Sequence, residues 1–133
     1  MPRILVVDDQ KDVRTMISMV LRVNQFEVAE AGTAAAGLQL FREQAFDTVI
    51  VDINLGDSNG LDLVRDMRDL APDLPVVAVS GMSAFDGASM SDQLTRVIYL
   101  QKPFRPAELV RAVDVARAAV QEVGEGALSA CAG

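Results

Sequence analysis

Histidine is absent from the chain and cysteine occurs once, at Cys131. A structural zinc site needs several Cys or His ligands, so none is expected. One cysteine also excludes an internal disulfide, and nothing points to an oxidising compartment. No apolar stretch approaches the roughly 20 residues of a membrane span, and the strand-like run after Met1-Pro2-Arg3 is too short for a signal-peptide core. The expectation is a cytoplasmic protein without membrane insertion. Basic residues are also scarce: 12 Lys and Arg against 19 Asp and Glu give a net charge of −7. That balance disfavours binding to a phosphate backbone, whose affinity comes mainly from Lys and Arg, so no direct nucleic-acid contact is expected. No internal repeat or second domain is visible, and 133 residues, half of them hydrophobic, suit one domain.

What the chain does have is an alternation of short apolar runs and longer amphipathic stretches, the pattern of βαβ units around a parallel sheet. The strand-like runs are Ile4–Val7, Glu27–Ala31, Thr48–Val51, Val76–Val79 and Val97–Leu100. Val13, Met16, Ile17, Val20 and Leu21 recur at helical spacing between Asp12 and Val23. Met19 and Val23 lie off that stripe and are candidates to dock a partner helix. A second helix is expected from Gly32-Thr33 towards Gln44, and a third from Gly60 to Leu70, stopped by Pro72. The segment Ser83–Leu94 holds Gly87, several serines and few apolar anchors, which predicts a short or mobile helix. A last helix follows Pro106 through Leu109, Val110, Val113, Ala116 and Val120. From Gly124 the composition turns to Gly, Ala and Ser, predicting a frayed tail.

The runs end in chemistry. Asp8 and Asp9 close the first, Asp52 the third, Ser80 the fourth and Lys102-Pro103 the fifth. If the strands are parallel neighbours, these groups meet at the carboxyl edge of the sheet. Three carboxylates held together repel, and capture of a hard divalent cation relieves them; an oxygen-only ligand set suits Mg²⁺. An Asp beside such an ion can act as a nucleophile towards phosphorus. Lys102 would add a fixed positive charge and the Ser80 hydroxyl a hydrogen bond. Singly, each has a plain alternative: helix-capping for Asp8 and Asp9, a strand-ending turn for Asp52, loop punctuation for Ser80 and Lys102, packing for Tyr99.

Taken together, Val6-Val7-Asp8-Asp9, Asp52 after Val49-Ile50-Val51, Gly60, Ser80-Gly81 and Tyr99-Leu100-Gln101-Lys102-Pro103-Phe104 resemble a bacterial two-component response regulator receiver domain, similar to the chemotaxis response regulator. The likeness covers about the first 120 residues, with a receiver domain over 1–122 and a flexible tail over 123–133. It implies an α/β, flavodoxin-like, doubly wound five-stranded parallel sheet of order 2-1-3-4-5 with five helices. It further implies that Asp52 accepts a phosphoryl group from a sensor histidine kinase or histidine phosphotransfer protein. Asp9, Asp52 and the backbone carbonyl of Asn54 would bind Mg²⁺ (or Mn²⁺), with Asp8 acting directly or through water. Lys102 would pair with the phosphoryl group, the Lys102-Pro103 bond would be cis, and Ser80, Tyr99 and Pro103 would form the switch.

Several positions depart from the family pattern. Gly56 stands where proline is frequent, which predicts a more flexible loop, and Thr95-Arg96 replaces a common Gly-Ala pair. Ser80 replaces threonine and keeps the hydroxyl. Met82 offers no hydrogen bond to an attacking water, which predicts slow self-dephosphorylation. The expectation is a stand-alone switch that binds a downstream protein, with a phosphorylation-linked dimer among its outputs. It would be no enzyme, although it would promote its own phosphotransfer and dephosphorylation. Two alternatives stay open: an unphosphorylated adaptor or dimerisation module, and a phosphatase of the haloacid dehalogenase type. The phosphatase needs a second Asp two residues after its nucleophile, where this chain has Gln10 after Asp8 and Asn54 after Asp52.

Overall fold

The structure, a computed structural model, describes residues 2–56, 58–81 and 96–132, with side chains as far as residue 119. The elements are β1 (Arg3–Val7), α1 (Lys11–Val23), β2 (Glu27–Ala31), α2 (Ala34–Glu43), β3 (Thr48–Asp52), α3 (Gly60–Leu70), β4 (Val76–Ser80), β5 (Val97–Gln101) and α4 (Pro106–Ala132). All strand pairs are parallel, in the order β2-β1-β3-β4-β5. Sheet and order match the sequence expectation. Four helices are described; the expected helix over Ser83–Leu94 falls on residues outside the described set, as do Met82 and Thr95.

Side chains alternate across each strand and so divide the core into two layers. Ile4, Val6, Ile50, Val77 and Val79 pack with Ile17 and Leu21 of α1 and with Leu109, Ala112, Val113 and Ala116 of α4. Leu5, Val7, Val49, Val51, Val76 and Ala78 face the other way, against Leu63, Val64 and Met67 of α3, and the half-buried Leu38 and Phe41 of α2 join them. Parallel strands covered on both faces read as continuous apolar runs, which is why β3 and β4 are buried at every position. Burying each Val, Leu or Ile stabilises the fold by roughly 1.5–3 kcal/mol before conformational entropy is counted.

Local chemistry sets the helix ends. Thr33 caps α2 by accepting from the Ala36 N–H (3.1 Å), and Asn59 caps α3 by accepting from the Leu61 N–H (2.8 Å). On α1 the expected stripe is realised: Ile17 and Leu21 are fully buried, while Met19 and Val23 are 61% and 77% exposed. α4 continues past Gly124 to Ala132. Gly124 and Gly126 weaken a helix without stopping it, and Ala127, Leu128 and Ala130 around them are strong helix formers.

Candidate functional site: an acidic crevice at the carboxyl edge of the sheet

The chain leaves β1 to one side for β2 and then crosses to the other side for β3. Between β1 and β3 the connections diverge, and a crevice opens beyond the strand ends. Asp8 and Asp9 follow β1 and Asp52 ends β3, so both sides of this opening are acidic. The crevice holds about 340 Å³ and is lined by Asp9, Gln10, Asp52, Asn54, Gly56, Ser80, Gly81 and Lys102. A larger groove, about 530 Å³, lies at the amino ends of β1 and β2, around Arg3, Glu27 and Phe26, and has no comparable convergence of like charges.

Three carboxylates meet here. One oxygen from each of Asp8, Asp9 and Asp52 lies within 4.8 Å of the others. Asp8 and Asp52 are buried, whereas Asp9 is exposed. Lys102 faces them: its Nζ donates to Asp52 Oδ2 at 3.0 Å and to Asp8 Oδ2 at 3.3 Å. Burial pushes the Asp8 carboxyl above its ordinary range, against the Gln10 N–H and the Lys102 charge, which pull it down. Burial alone would depress the Lys102 ammonium. The Asp52 hydrogen bond and the charges of Asp8 and Asp52 outweigh it and hold Lys102 above the usual lysine range. An oxygen-only donor set with three close carboxylates fits a hard divalent cation such as Mg²⁺.

The backbone holds these groups in register. Asp8 N–H donates to the Ala31 carbonyl (3.1 Å), and Asp8's own carbonyl accepts from Arg14 Nη1 (2.7 Å), whose Nε pairs with Glu30 (3.2 Å). Asp52 Oδ1 accepts from the Asn54 N–H (3.0 Å), which leaves Oδ2 on the Lys102 side. Lys102 N–H donates to the Ser80 carbonyl (2.7 Å), tying the end of β5 to β4. Gly56 closes the β3–α3 turn at φ +75°, in the left-handed region, and a Cβ there would lie 3.7 Å from Asp9 Oδ2. Proline cannot adopt that φ, which gives a conformational reason for glycine here.

Of the residues singled out in the sequence, Asp8, Asp9, Asp52, Asn54, Ser80 and Lys102 all converge on this edge. The Lys102-Pro103 bond is cis. Tyr99 sits further down β5, opposite Ala78, half-buried against the α2–α3 side of the core. Burial raises its phenol above the ordinary tyrosine range, and the nearby Arg68 charge pulls the other way. Two site residues escaped the sequence. Arg14 anchors the Asp8 backbone through a contact across the turn into α1 that the sequence pattern does not mark. The Gln10 side-chain carbonyl oxygen accepts from Lys102 Nζ (3.2 Å), and a glutamine at a helix cap was the available signal.

Comparison with known proteins agrees with this geometry. The family described as "Response regulator receiver domain" matches residues 4–114. Alginate biosynthesis transcriptional regulatory protein AlgB of Pseudomonas putida is 38% identical over 107 residues, covering 80% of this chain and 24% of its own length. Transcriptional regulatory protein PrrA of Mycobacterium tuberculosis is 38% identical over 112 residues, covering 84% and 48%. The chain therefore spans about a quarter to a half of these relatives. A response regulator receiver domain protein from Clostridium thermocellum superposes with a TM-score of 0.82 at 26% identity, covering 92% of this chain and 99% of that one. A CheY-like receiver domain protein from Methanospirillum hungatei gives 0.83 at 25% identity, covering 92% and 98%. Among the described residues, no helix is long and apolar enough to cross a membrane. By fold, by the acidic crevice and by sequence, the chain belongs to the response regulator receiver domain family.

Proposed function

We propose that Asp52 accepts a phosphoryl group from a sensor histidine kinase or histidine phosphotransfer protein, and that the new charge switches binding to a partner protein. The observation that carries this is the 3.0 Å contact between Lys102 Nζ and Asp52 Oδ2 inside a group of three carboxylates. In the transfer, an Asp52 carboxylate oxygen forms a bond to phosphorus as the donor's nitrogen–phosphorus bond breaks, and the departing imidazole keeps the electron pair and takes up a proton. Such a reaction needs positioning and charge neutralisation more than a base.

Asp8, Asp9 and Asp52, with the Asn54 backbone carbonyl, would hold Mg²⁺ (or Mn²⁺), which supplies part of that neutralisation when bound. Lys102 supplies a second part as a fixed cation. The Ser80 hydroxyl at the same edge donates to a phosphoryl oxygen. The phosphoryl group adds close to two negative charges. In this proposal they draw Lys102 and Ser80 inward, and Tyr99 and the loop after Pro103 repack in response. Output is a population shift bounded by the differential stabilisation of two states, a few kcal/mol. The protein turns over no external substrate, although it promotes its own loading and its own slow dephosphorylation. Its phosphoryl donor and downstream target are cytoplasmic proteins, and a phosphorylation-linked dimer is one form of the output.

Incubation with acetyl phosphate and Mg²⁺ followed by intact mass tests the proposal. One phosphoryl increment, lost in Asp52→Asn, is the expected result. No increment would favour an unphosphorylated adaptor, and steady phosphate release at enzyme rates would favour a phosphatase.

A further inference from the structure

Gln10 occupies the N-cap position of α1 with extended backbone (φ −91°, ψ 110°), yet its side chain makes no capping hydrogen bond. Short polar side chains cap helices, and glutamine is not among the favoured ones. Asp8 Oδ1 accepts from the Gln10 N–H at 2.8 Å and so fixes the backbone of the cap residue. The Gln10 side chain, which caps nothing, reaches across the crevice, where its Oε1 accepts from Lys102 Nζ at 3.2 Å.

An ammonium has three donors. Among the described residues, Lys102 Nζ has three acceptors within hydrogen-bond distance: Asp52 Oδ2, Asp8 Oδ2 and Gln10 Oε1. A phosphoryl oxygen arriving on Asp52 therefore has to displace one of them. The two carboxylates are buried and meet the ammonium as opposite charges, so each of their bonds is an ion pair as well as a hydrogen bond. Gln10 is neutral and exposed, so it is the partner that yields.

We propose that Gln10 is a positioning residue which holds Lys102 in the resting crevice, its amide oxygen filling the place on the ammonium that a phosphoryl oxygen takes over. Gln10 thereby sets how strongly the crevice takes up a phosphoryl group. This rests on the assignment of Asp52 as acceptor and deepens it.

The test measures the dissociation constant of beryllofluoride, a phosphoryl mimic, by calorimetry at saturating Mg²⁺ for wild type, Gln10→Met and Gln10→Glu, with urea unfolding of each as a check on the fold. Gln10→Met keeps the length and loses the acceptor, and it binds tighter than wild type by about fivefold, the net worth of one solvent-exposed hydrogen bond. Gln10→Glu holds Lys102 with a charge and repels the anion, so it binds weaker than wild type. A merely structural role would move both variants the same way. Binding by Gln10→Met that is equal to or weaker than wild type, with the fold intact, overturns the inference; Gln10→Ala gives the same comparison if the methionine disturbs the fold. A wild type that binds no beryllofluoride overturns the acceptor assignment itself, which separates the two failures.

Discussion

Gly60, the first residue of α3, packs against the carbonyl of Asp52: a Cβ built on it would overlap that oxygen and lie 2.9 Å from the Ile53 Cα. The Gly60 N–H also donates to the Ile53 carbonyl at 2.7 Å, so the helix starts in direct backbone contact with the end of β3. The acceptor carboxylate is thus set in place by a close approach that only glycine permits.

Gly60→Ala forces that backbone apart, and the expected cost is about 1–3 kcal/mol, the usual range for overpacking. Loss of Asp52 loading should accompany it. Gly81→Ala is the control, since among the described residues its added Cβ meets only the Lys102 side chain, at 3.9 Å, and should cost little. Urea unfolding of both variants checks the contrast, and equal stabilities would refute it.

Gly56→Pro should destabilise the protein even though proline is frequent at this place in the family, because φ +75° is closed to proline. Gly56→Asn, which tolerates the left-handed region, should be better accepted. Thermal unfolding ranks the two, and a stabilised proline variant would contradict the turn geometry.

The hydroxyls of Ser18 and Thr48 are buried and have no hydrogen-bond partner among the described residues. Their desolvation is therefore uncompensated. Thr48→Val and Ser18→Ala should leave stability unchanged or raise it by about 1 kcal/mol. A loss above that size in chemical unfolding would show that these hydroxyls are paired.

Tyr99 is the only tyrosine, and the chain has no tryptophan, so its ionisation can be followed directly by tyrosinate absorbance. Burial raises its pKa above the ordinary tyrosine value of 10.0, while Arg68 opposes the rise. Removing that positive charge in Arg68→Gln should push the titration higher still. The neutral phenol is favoured in the fold. Tyr99 thus contributes stability that is fully present below pH 10.0 and is lost as the pH rises from there through the folded-state pKa. A midpoint below the ordinary value, or a fall on removing Arg68, would contradict this environment.

Much of this was legible because the parallel sheet is buried on both faces. Runs such as Thr48–Val51 are then continuous and apolar, and a polar residue directly after them marks the carboxyl edge. Asp8, Asp9, Asp52, Ser80 and Lys102 could be assembled from that rule alone. Other features were hidden because they are contacts of backbone or of long side chains across the fold. The approach of Gly60 to Asp52 depends on how α3 leaves β3, and the Gln10–Lys102 bond joins residues far apart in the chain.

The most direct test is to locate the phosphoryl group. After loading with acetyl phosphate and Mg²⁺, borohydride reduction converts an acyl phosphate to an alcohol at the modified residue, and peptide mass spectrometry finds it. Reduction at Asp52 alone is expected, with none in Asp52→Asn. Modification at Asp8 or Asp9, or equal loading of the Asp52→Asn variant, would contradict the account.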